Sequence, residues 1–171
     1  EEGIKLVQFR ADAMQEACEK TKGTMAAIVG LPAEKVDEIV ADLNLDDLWV
    51  ANYNCPGQTV ISGTQSGVEK GMEALKEGGA RRALLLQVSG AFHSGLMQLA
   101  QDKLAPQIEA CALEDSPIAL AMNVPGDFVK EKEQIRKNMI AQVTSSVRWE
   151  QSVRKMTDVE LFVEIGCGKS L

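Results

Sequence analysis

The hydrophobic positions at the start of the chain recur at spacings of three and four residues, the pattern of one helix face. We therefore predict a helix over residues 3–19 with its apolar side chains facing the core. These side chains are Ile4, Val7, Ala11, Met14 and Cys18. Because the helical pattern begins at once, with no element before it, we expect further chain ahead of Glu1.

Short apolar runs then alternate with helical patterns as far as Val88. Strands are predicted at 24–30, 48–54, 58–63 and 82–88, and helices at about 32–43 and 65–78. Pro56 and Gly57 form a turn that joins the second and third strands into a hairpin. The resulting order, β-α-β-β-α-β, is typical of a ferredoxin-like unit, in which two helices cover a sheet.

The pattern changes after Val88, where the small-residue turn SGAFHSG precedes another helix. Its inward positions are predicted to be Leu96, Ala100, Leu104, Ile108 and Cys111. Strands follow at 117–123 and 159–165, and helices at about 129–143 and 149–156. Helices that alternate with apolar strands indicate a parallel sheet covered on both faces. With so few strands this sheet would be incomplete and would expose apolar edges.

Charge and cysteine content exclude several classes of function. The net charge is −7 and no basic run exceeds two residues, which argues against nucleic acid as a partner. No apolar stretch approaches the ~18 residues of a membrane-spanning helix, and a single histidine excludes a histidine-rich metal site. Four cysteines without a C-x-x-C pair indicate reduced, mostly buried thiols in a cytoplasmic protein; they are Cys18, Cys55, Cys111 and Cys167.

His93, the only histidine, is the first candidate for chemistry. A lone histidine is more often structural than catalytic, but this one follows a buried strand, on a glycine-containing turn at the start of a helix. Sites in parallel-sheet folds gather at the carboxyl ends of strands. A helix N-terminus also lowers the pKa of an imidazole, which keeps the ring neutral and able to accept a proton.

Arg10 is the second candidate, because it lies at the margin of the apolar face of the first helix. It either extends its charged head into water or brings a guanidinium into a half-buried pocket, where it would hold a carboxylate through two hydrogen bonds. Residues 166–170 resemble part of a phosphate-binding loop, but Val163 stands where that motif needs its first glycine, so a turn into a helix is the simpler interpretation. No G-x-S-x-G nucleophile motif occurs in the 171 residues.

Six blocks span nearly the whole chain: LVQFRADAMQEA, GTMAAIVGLP, NYNCPGQTVISGT, VSGAFHSGLM, SSVRWEQSV and FVEIGCGKSL. In order and spacing they resemble the malonyl-CoA:acyl carrier protein transacylases of fatty-acid synthesis and the related acyltransferase domains of polyketide synthases. The resemblance implies an α/β-hydrolase-like core formed by residues 1–22 and 89–171, with an incomplete parallel sheet. It also implies an inserted ferredoxin-like subdomain formed by residues 23–88, in agreement with the element order inferred above.

The implied reaction is a ping-pong transfer. A malonyl group passes from malonyl-CoA to a serine, and from the serine to the phosphopantetheine thiol of acyl carrier protein, with a histidine as general base and then general acid. The substrate is malonyl-CoA, and no permanently bound cofactor and no metal are implied. The resemblance assigns His93 as this histidine and Arg10 as the ligand of the free malonyl carboxylate.

The same resemblance implies the remaining site residues. It places Met14, Val88, Phe92, Asn54, Asn123 and Gln142 at the substrate site, and it places a backbone carbonyl near Asn123 as the group that orients the histidine. Phe92 stands where a bulky residue favours malonyl over methylmalonyl, although simple packing also explains it. Arg81 and Arg82 match a basic pair that docks the acidic carrier protein, or else they are solvated residues of a turn.

The departures from the family pattern concern the nucleophile. The serine motif and an oxyanion-hole glutamine loop would both precede the helix of Arg10, and the family's C-terminal helical end would follow Leu171. We therefore expect the 171-residue chain alone to be inactive, and the complete protein to be a cytoplasmic monomer. Two alternatives stay open: an inert fragment that binds carrier protein, and an acyltransferase domain of a polyketide synthase.

Overall fold

The computed structural model describes residues 2–115 and 117–165 and has an α/β architecture. Its helices are α1 (Glu2–Lys20), α2 (Ala33–Asp42), α3 (Gln65–Glu77), α4 (Gln98–Glu109), α5 (Lys132–Ala141) and α6 (Trp149–Arg154), with a 3₁₀ turn at Gly95–Met97. Its strands are β1 (Thr24–Val29), β2 (Leu48–Cys55), β3 (Gln58–Gly63), β4 (Arg82–Leu85), β5 (Leu120–Met122), β6 (Asp127–Val129) and β7 (Val147–Arg148). The turn predicted at residues 166–170, with Cys167, lies outside the described residues.

Five strands form one mixed sheet in the order β4-β1-β3-β2-β7. Neighbouring strands are antiparallel except β2 and β7, which pair in parallel. Helices α2 and α3 pack on one face of this sheet, because their apolar side chains and those of the strands form one buried cluster. Its fully buried members include Ile28, Val36, Ile61, Val68 and Leu75. The predicted order of elements over residues 24–88 is confirmed.

A second apolar cluster joins α1 to α4 and α5. It buries Met14 and Cys18 from α1 against the predicted α4 positions Ala100, Leu104 and Ile108. A small third cluster lies on the other face of the sheet, and its buried members are Met25, Ala51 and Val60. Phe92 packs against both of these clusters. The residue directly before His93 therefore connects the sheet to the helices.

The strands predicted at 117–123 and 159–165 form no parallel sheet among the described residues, in which the one parallel pairing is that of β2 with β7. The segment predicted as a strand at 117–123 contributes only β5, which pairs with β6 in a two-stranded antiparallel ladder. Residues 159–165 are described but form no strand, and Ile165 is 95% exposed. An apolar strand of a parallel sheet needs neighbours to pair its backbone and bury both faces, and no described strand pairs with this segment.

The apolar face of α1 is buried only in its second half. Met14 and Cys18 lie in the core as predicted, whereas Ile4 and Val7 are 76% and 67% exposed, so the prediction that they face inward is wrong. The periodicity is present along the whole helix, but the described part of the chain buries only the part of α1 that includes residues 13–18.

The predictions for thiols are met in part. The three cysteines among the described residues are free, but Cys55 is exposed and only Cys18 is buried. The prediction that the thiols are mostly buried is therefore wrong. None of the described helices is long and apolar enough to cross a membrane.

Candidate active site

A tight turn holds His93 between β4 and the 3₁₀ turn. The backbone of His93 has φ = 56°, in the left-handed region that few non-glycine residues adopt. The fully buried Ser94 hydroxyl stabilises the turn, because it donates to the Ala91 carbonyl (2.6 Å) and accepts from the Leu96 amide (3.3 Å). Gly90 lies so close to α1 that a Cβ there would be 2.2 Å from the Cys18 sulfur. These contacts fix the direction in which the imidazole leaves the backbone.

A hydrogen bond with the backbone of Gln142 orients the imidazole. His93 Nδ1 lies 3.0 Å from the carbonyl oxygen of Gln142, which follows the last residue of α5. Because a carbonyl only accepts, Nδ1 carries the proton in this bond, and in the neutral ring Nε2 is then the nitrogen that can accept a proton. The carbonyl predicted near Asn123 is therefore wrong: that of Asn123 accepts instead from the Arg148 amide, at 2.9 Å.

The surroundings of His93 favour its neutral form. Burial is the main cause that lowers its pKa, the charge of Arg10 lowers it further, and hydrogen bonds with the backbone of Gln142 and Ser145 act in the opposite direction. The predicted direction is confirmed, but its predicted cause, a helix N-terminus, is not the one found. His93 precedes the 3₁₀ turn, which begins at Gly95.

Arg10 lies beside the same residue of α5. Its guanidinium Nη2 donates to the side-chain Oε1 of Gln142 at 2.9 Å, in a half-buried position where burial lowers the pKa of the guanidinium. No carboxylate of the described residues forms an ion pair with Arg10. The side chain therefore does not extend freely into water, and most of its donors are left for another acceptor. A mainly apolar cavity of about 200 Å³ adjoins it, lined by residues that include Val7, Met122 and Met139.

His93 also lines a larger cavity of about 630 Å³, whose other residues the sequence analysis did not single out. On its wall the Tyr53 hydroxyl donates to Asp37 (2.7 Å), and the Arg148 guanidinium lies 5.4 Å from the centre of the Tyr53 ring. Burial and the Asp37 carboxylate raise the pKa of Tyr53, so its hydroxyl stays protonated. The one available signal in the sequence was Tyr53 itself, between the two asparagines of NYN, because a buried tyrosine needs a polar partner.

The other predicted site residues are distributed over several places. Asn54 and Asn123 line a separate cavity of about 580 Å³ together with Trp149. Met14 is in the core, Phe92 is half-buried, and Val88 is 37% exposed beyond the end of β4. The structure thus brings His93, Arg10 and Gln142 together and places the two asparagines on a different cavity. Their roles, like those of Met14, Phe92 and Val88, stay predictions.

Arg81 and Arg82 are both exposed at the start of β4. Arg82 pairs with Val29 across the sheet, and Gly30, with φ = 92°, lies beside Arg81. A Cβ at Gly30 would be 2.6 Å from the Arg81 Cβ, so glycine is required for this approach. The two arginines are therefore set on an ordered turn and present adjacent positive charges at the surface.

Comparison with known proteins places this arrangement in a family. Residues 1–167 match the model of the acyl transferase domain. The chain is 43% identical over 176 residues to malonyl CoA-acyl carrier protein transacylase of Bacillus subtilis, an alignment that covers 99% of this chain and 55% of that protein. The chain thus spans about half the length of the curated relatives it matches.

Solved structures give the same result. The acyl-carrier-protein S-malonyltransferase of Burkholderia pseudomallei matches with a TM-score of 0.80 and 37% identity, over 88% of this chain and 49% of that one. The malonyl-transacylase PlMCAT, in complex with AntF, the acyl-carrier protein of a type II PKS, matches with a TM-score of 0.81 and 35% identity, over 88% and 49% of the two chains.

Proposed function

Because the chain belongs to the acyl transferase domain family, we propose that the protein containing it transfers a malonyl group from malonyl-CoA to the phosphopantetheine thiol of an acyl carrier protein. The names of its relatives support this substrate and this acceptor. The observation in the chain itself that carries the proposal is the bond between His93 Nδ1 and the Gln142 carbonyl, which leaves Nε2 as a fixed proton acceptor.

His93 acts in both halves of the reaction. Nε2 takes the proton of a serine hydroxyl as the oxygen attacks the thioester carbonyl of malonyl-CoA, and it returns that proton to the departing thiolate. The carrier thiol then loses its proton to Nε2 and attacks the malonyl ester, and the proton passes to the serine oxygen. Because the 171 residues contain no G-x-S-x-G motif, we propose that this serine lies outside them.

Arg10 holds the free carboxylate of the malonyl group. Its guanidinium is half-buried, has no ion-pair partner among the described residues, and is held by a neutral oxygen of Gln142, so a carboxylate is the acceptor it lacks. Gln142 and the core residue Met14 support this side of the site. We also keep Phe92, Val88, Asn54 and Asn123 as substrate-binding residues on the family resemblance, although Asn54 and Asn123 line a separate cavity.

The division into domains is part of the proposal. We assign residues 23–88 to a ferredoxin-like subdomain, and residues 1–22 and 89–171 to an α/β-hydrolase-like acyltransferase core. The element order over 24–85 and the antiparallel order β4-β1-β3-β2 support the first assignment. The separate clusters on α1, α4 and α5 and on α2 and α3 support the boundary between the two.

Labelled substrate tests the proposed function. We expect radiolabelled malonyl-CoA to leave no label on the 171-residue chain, because it lacks the serine motif. A protein extended to the length of its relatives should take up label and pass it to phosphopantetheinylated carrier protein. A stable adduct on the 171-residue chain would contradict the placement of the serine. An extended, folded protein that binds carrier but transfers nothing would contradict the function and favour an inert carrier-binding role.

Arg81 and Arg82 form the docking contact for the acidic carrier in this proposal. Replacing both with alanine should raise KM for the carrier about three- to tenfold at low salt, because exposed charges act chiefly on the encounter rate. The effect should fade at high salt, and KM for malonyl-CoA should not follow it. The matched control removes two exposed charges elsewhere, in Lys130→Ala with Lys132→Ala. Equal effects of the two pairs would show that net charge, not docking, is responsible.

The second candidate function is malonyl transfer to a polyketide carrier protein. The complex of PlMCAT with AntF is the observation that favours it. The chemistry at His93 and Arg10 is the same in both cases. Transfer rates to a fatty-acid carrier and a polyketide carrier, compared in one preparation of the extended protein, distinguish the two.

A further inference from the structure

Gln142 makes two hydrogen bonds that end on two different functional groups. Its backbone carbonyl accepts from His93 Nδ1 at 3.0 Å, and its side-chain Oε1 accepts from Arg10 at 2.9 Å. Its own amide donates to the carbonyl of the buried Asn138 at 2.9 Å, and the next residue, Val143, is fully buried. One anchored residue therefore fixes both the imidazole and the guanidinium, which lie 49 and 132 positions away in the sequence.

We propose that Gln142 is a positioning residue that couples Arg10 to His93, so that a carboxylate bound at Arg10 makes His93 the stronger base. The identity of that carboxylate as the malonyl group rests on the proposed function. The coupling itself goes beyond that function, because it means that the carboxylate of the acyl group affects proton transfer at His93.

The charges around His93 support the direction of this coupling. The guanidinium of Arg10 lowers the pKa of His93, and a carboxylate on Arg10 offsets that positive charge. The other charged residues that line the cavity of His93 are Asp37 on α2, Asp46 before β2 and Arg148 on β7. Burial and the hydrogen bonds with the backbone of Gln142 and Ser145 set the starting basicity of the imidazole, and the occupancy of Arg10 changes it.

The consequence is selection at two steps. An acyl group without a carboxylate leaves Arg10 facing His93 with its full charge, so the imidazole stays the weaker base. A malonyl group both binds Arg10 and removes this opposing charge. The enzyme then selects its substrate in proton transfer as well as in binding. The effect on proton transfer appears in kcat.

Because His93 is the only histidine, NMR of the imidazole reports its titration without any assay of transfer. In the 171-residue chain we expect a midpoint below the ordinary pKa of histidine. Saturating malonamate, which offers one carboxylate, should raise the midpoint by about 0.5 to 1.5 pH units, the size expected for one neighbouring charge at protein-surface dielectric constants. Acetamide, which has no carboxylate, should not move it. Binding is followed in the same samples at the Arg10 side-chain NH signal.

Two variants separate coupling from simple proximity. Gln142→Met keeps the backbone carbonyl and the side-chain length but removes the oxygen that holds the Arg10 guanidinium in place, so the response to malonamate should fall by at least half. Gln142→Glu places a carboxylate on Arg10 permanently, so the midpoint should start high and respond little. Gln107→Met, an exposed substitution of the same kind on α4, should respond as the wild type does.

Three results would overturn the coupling: no malonamate binding at Arg10, binding without a change in midpoint, or a full response in Gln142→Met. Failure of the proposed function is seen separately. An extended protein that moves no label from malonyl-CoA would contradict the function, while the titrations would still decide the coupling.

Discussion

Replacing His93 with asparagine should lower kcat for malonyl transfer by the extended protein about 10²- to 10⁴-fold, the range that a positioned general base contributes. The imidazole is oriented by the Gln142 carbonyl, and its lowered pKa keeps Nε2 able to accept a proton near neutral pH. Asparagine is chosen because the backbone at His93 has φ = 56°, a conformation that asparagine tolerates well. Steady-state rates with malonyl-CoA and carrier protein measure the loss.

The matched control for His93 is Asn44→Ala. Asn44 is the other non-glycine residue with positive φ among the described residues, at 46°, and it lines the same cavity. Its replacement tests whether a disturbed left-handed backbone is enough to lower the rate, and we expect activity within about threefold of wild type because Asn44 is exposed and has no role in the proposed transfer. Thermal unfolding of both variants measures any loss of fold. A rate for His93→Asn within tenfold of wild type would rule out His93 as the base.

The sequence predicts those parts of the fold in which each element carries its own pattern. Over residues 24–85 every strand and helix has a local period, a short connection and a partner within that stretch, so the order follows from the pattern. The segment 159–165 has an equally apolar pattern, yet it forms no strand. Its local sequence indicates a preference for burial but does not indicate which element would cover it. The same is true of Ile4 and Val7 on α1.

The site residues also divide into those that the local sequence identifies and those that depend on packing. His93 and Arg10 are recognisable because histidine and arginine have distinctive chemistry in a distinctive setting. The group that orients His93 is a backbone carbonyl, which every residue possesses, so the sequence gives no reason to prefer Gln142 over Asn123. The pair of Tyr53 and Asp37 also depends on the packing of α2 beside β2, which joins a buried phenol to an exposed carboxylate.

Replacing Arg10 with alanine should lower kcat/KM for malonyl-CoA about 5- to 150-fold and leave that for acetyl-CoA unchanged or raised. Loss of a charge-assisted bond to the carboxylate costs about 1–3 kcal/mol, and about 1.4 kcal/mol corresponds to tenfold. Arg10→Lys keeps the charge but not the paired donors, so its kcat/KM for malonyl-CoA should lie between those of the wild type and Arg10→Ala. Arg10→Ala also leaves the Gln142 side chain without its partner, so some destabilisation is expected.

The malonyl-to-acetyl ratio separates that destabilisation from the carboxylate role. Both substrates are measured on one preparation, so a smaller folded fraction lowers both rates equally and cancels from the ratio. Lys5→Ala removes an exposed positive charge from the same helix and should leave the ratio unchanged. If net charge alone attracted the substrate, Lys5→Ala and Arg10→Ala would change the ratio alike and salt would abolish both effects. A ratio that does not change in Arg10→Ala would refute the assignment of Arg10 to the malonyl carboxylate.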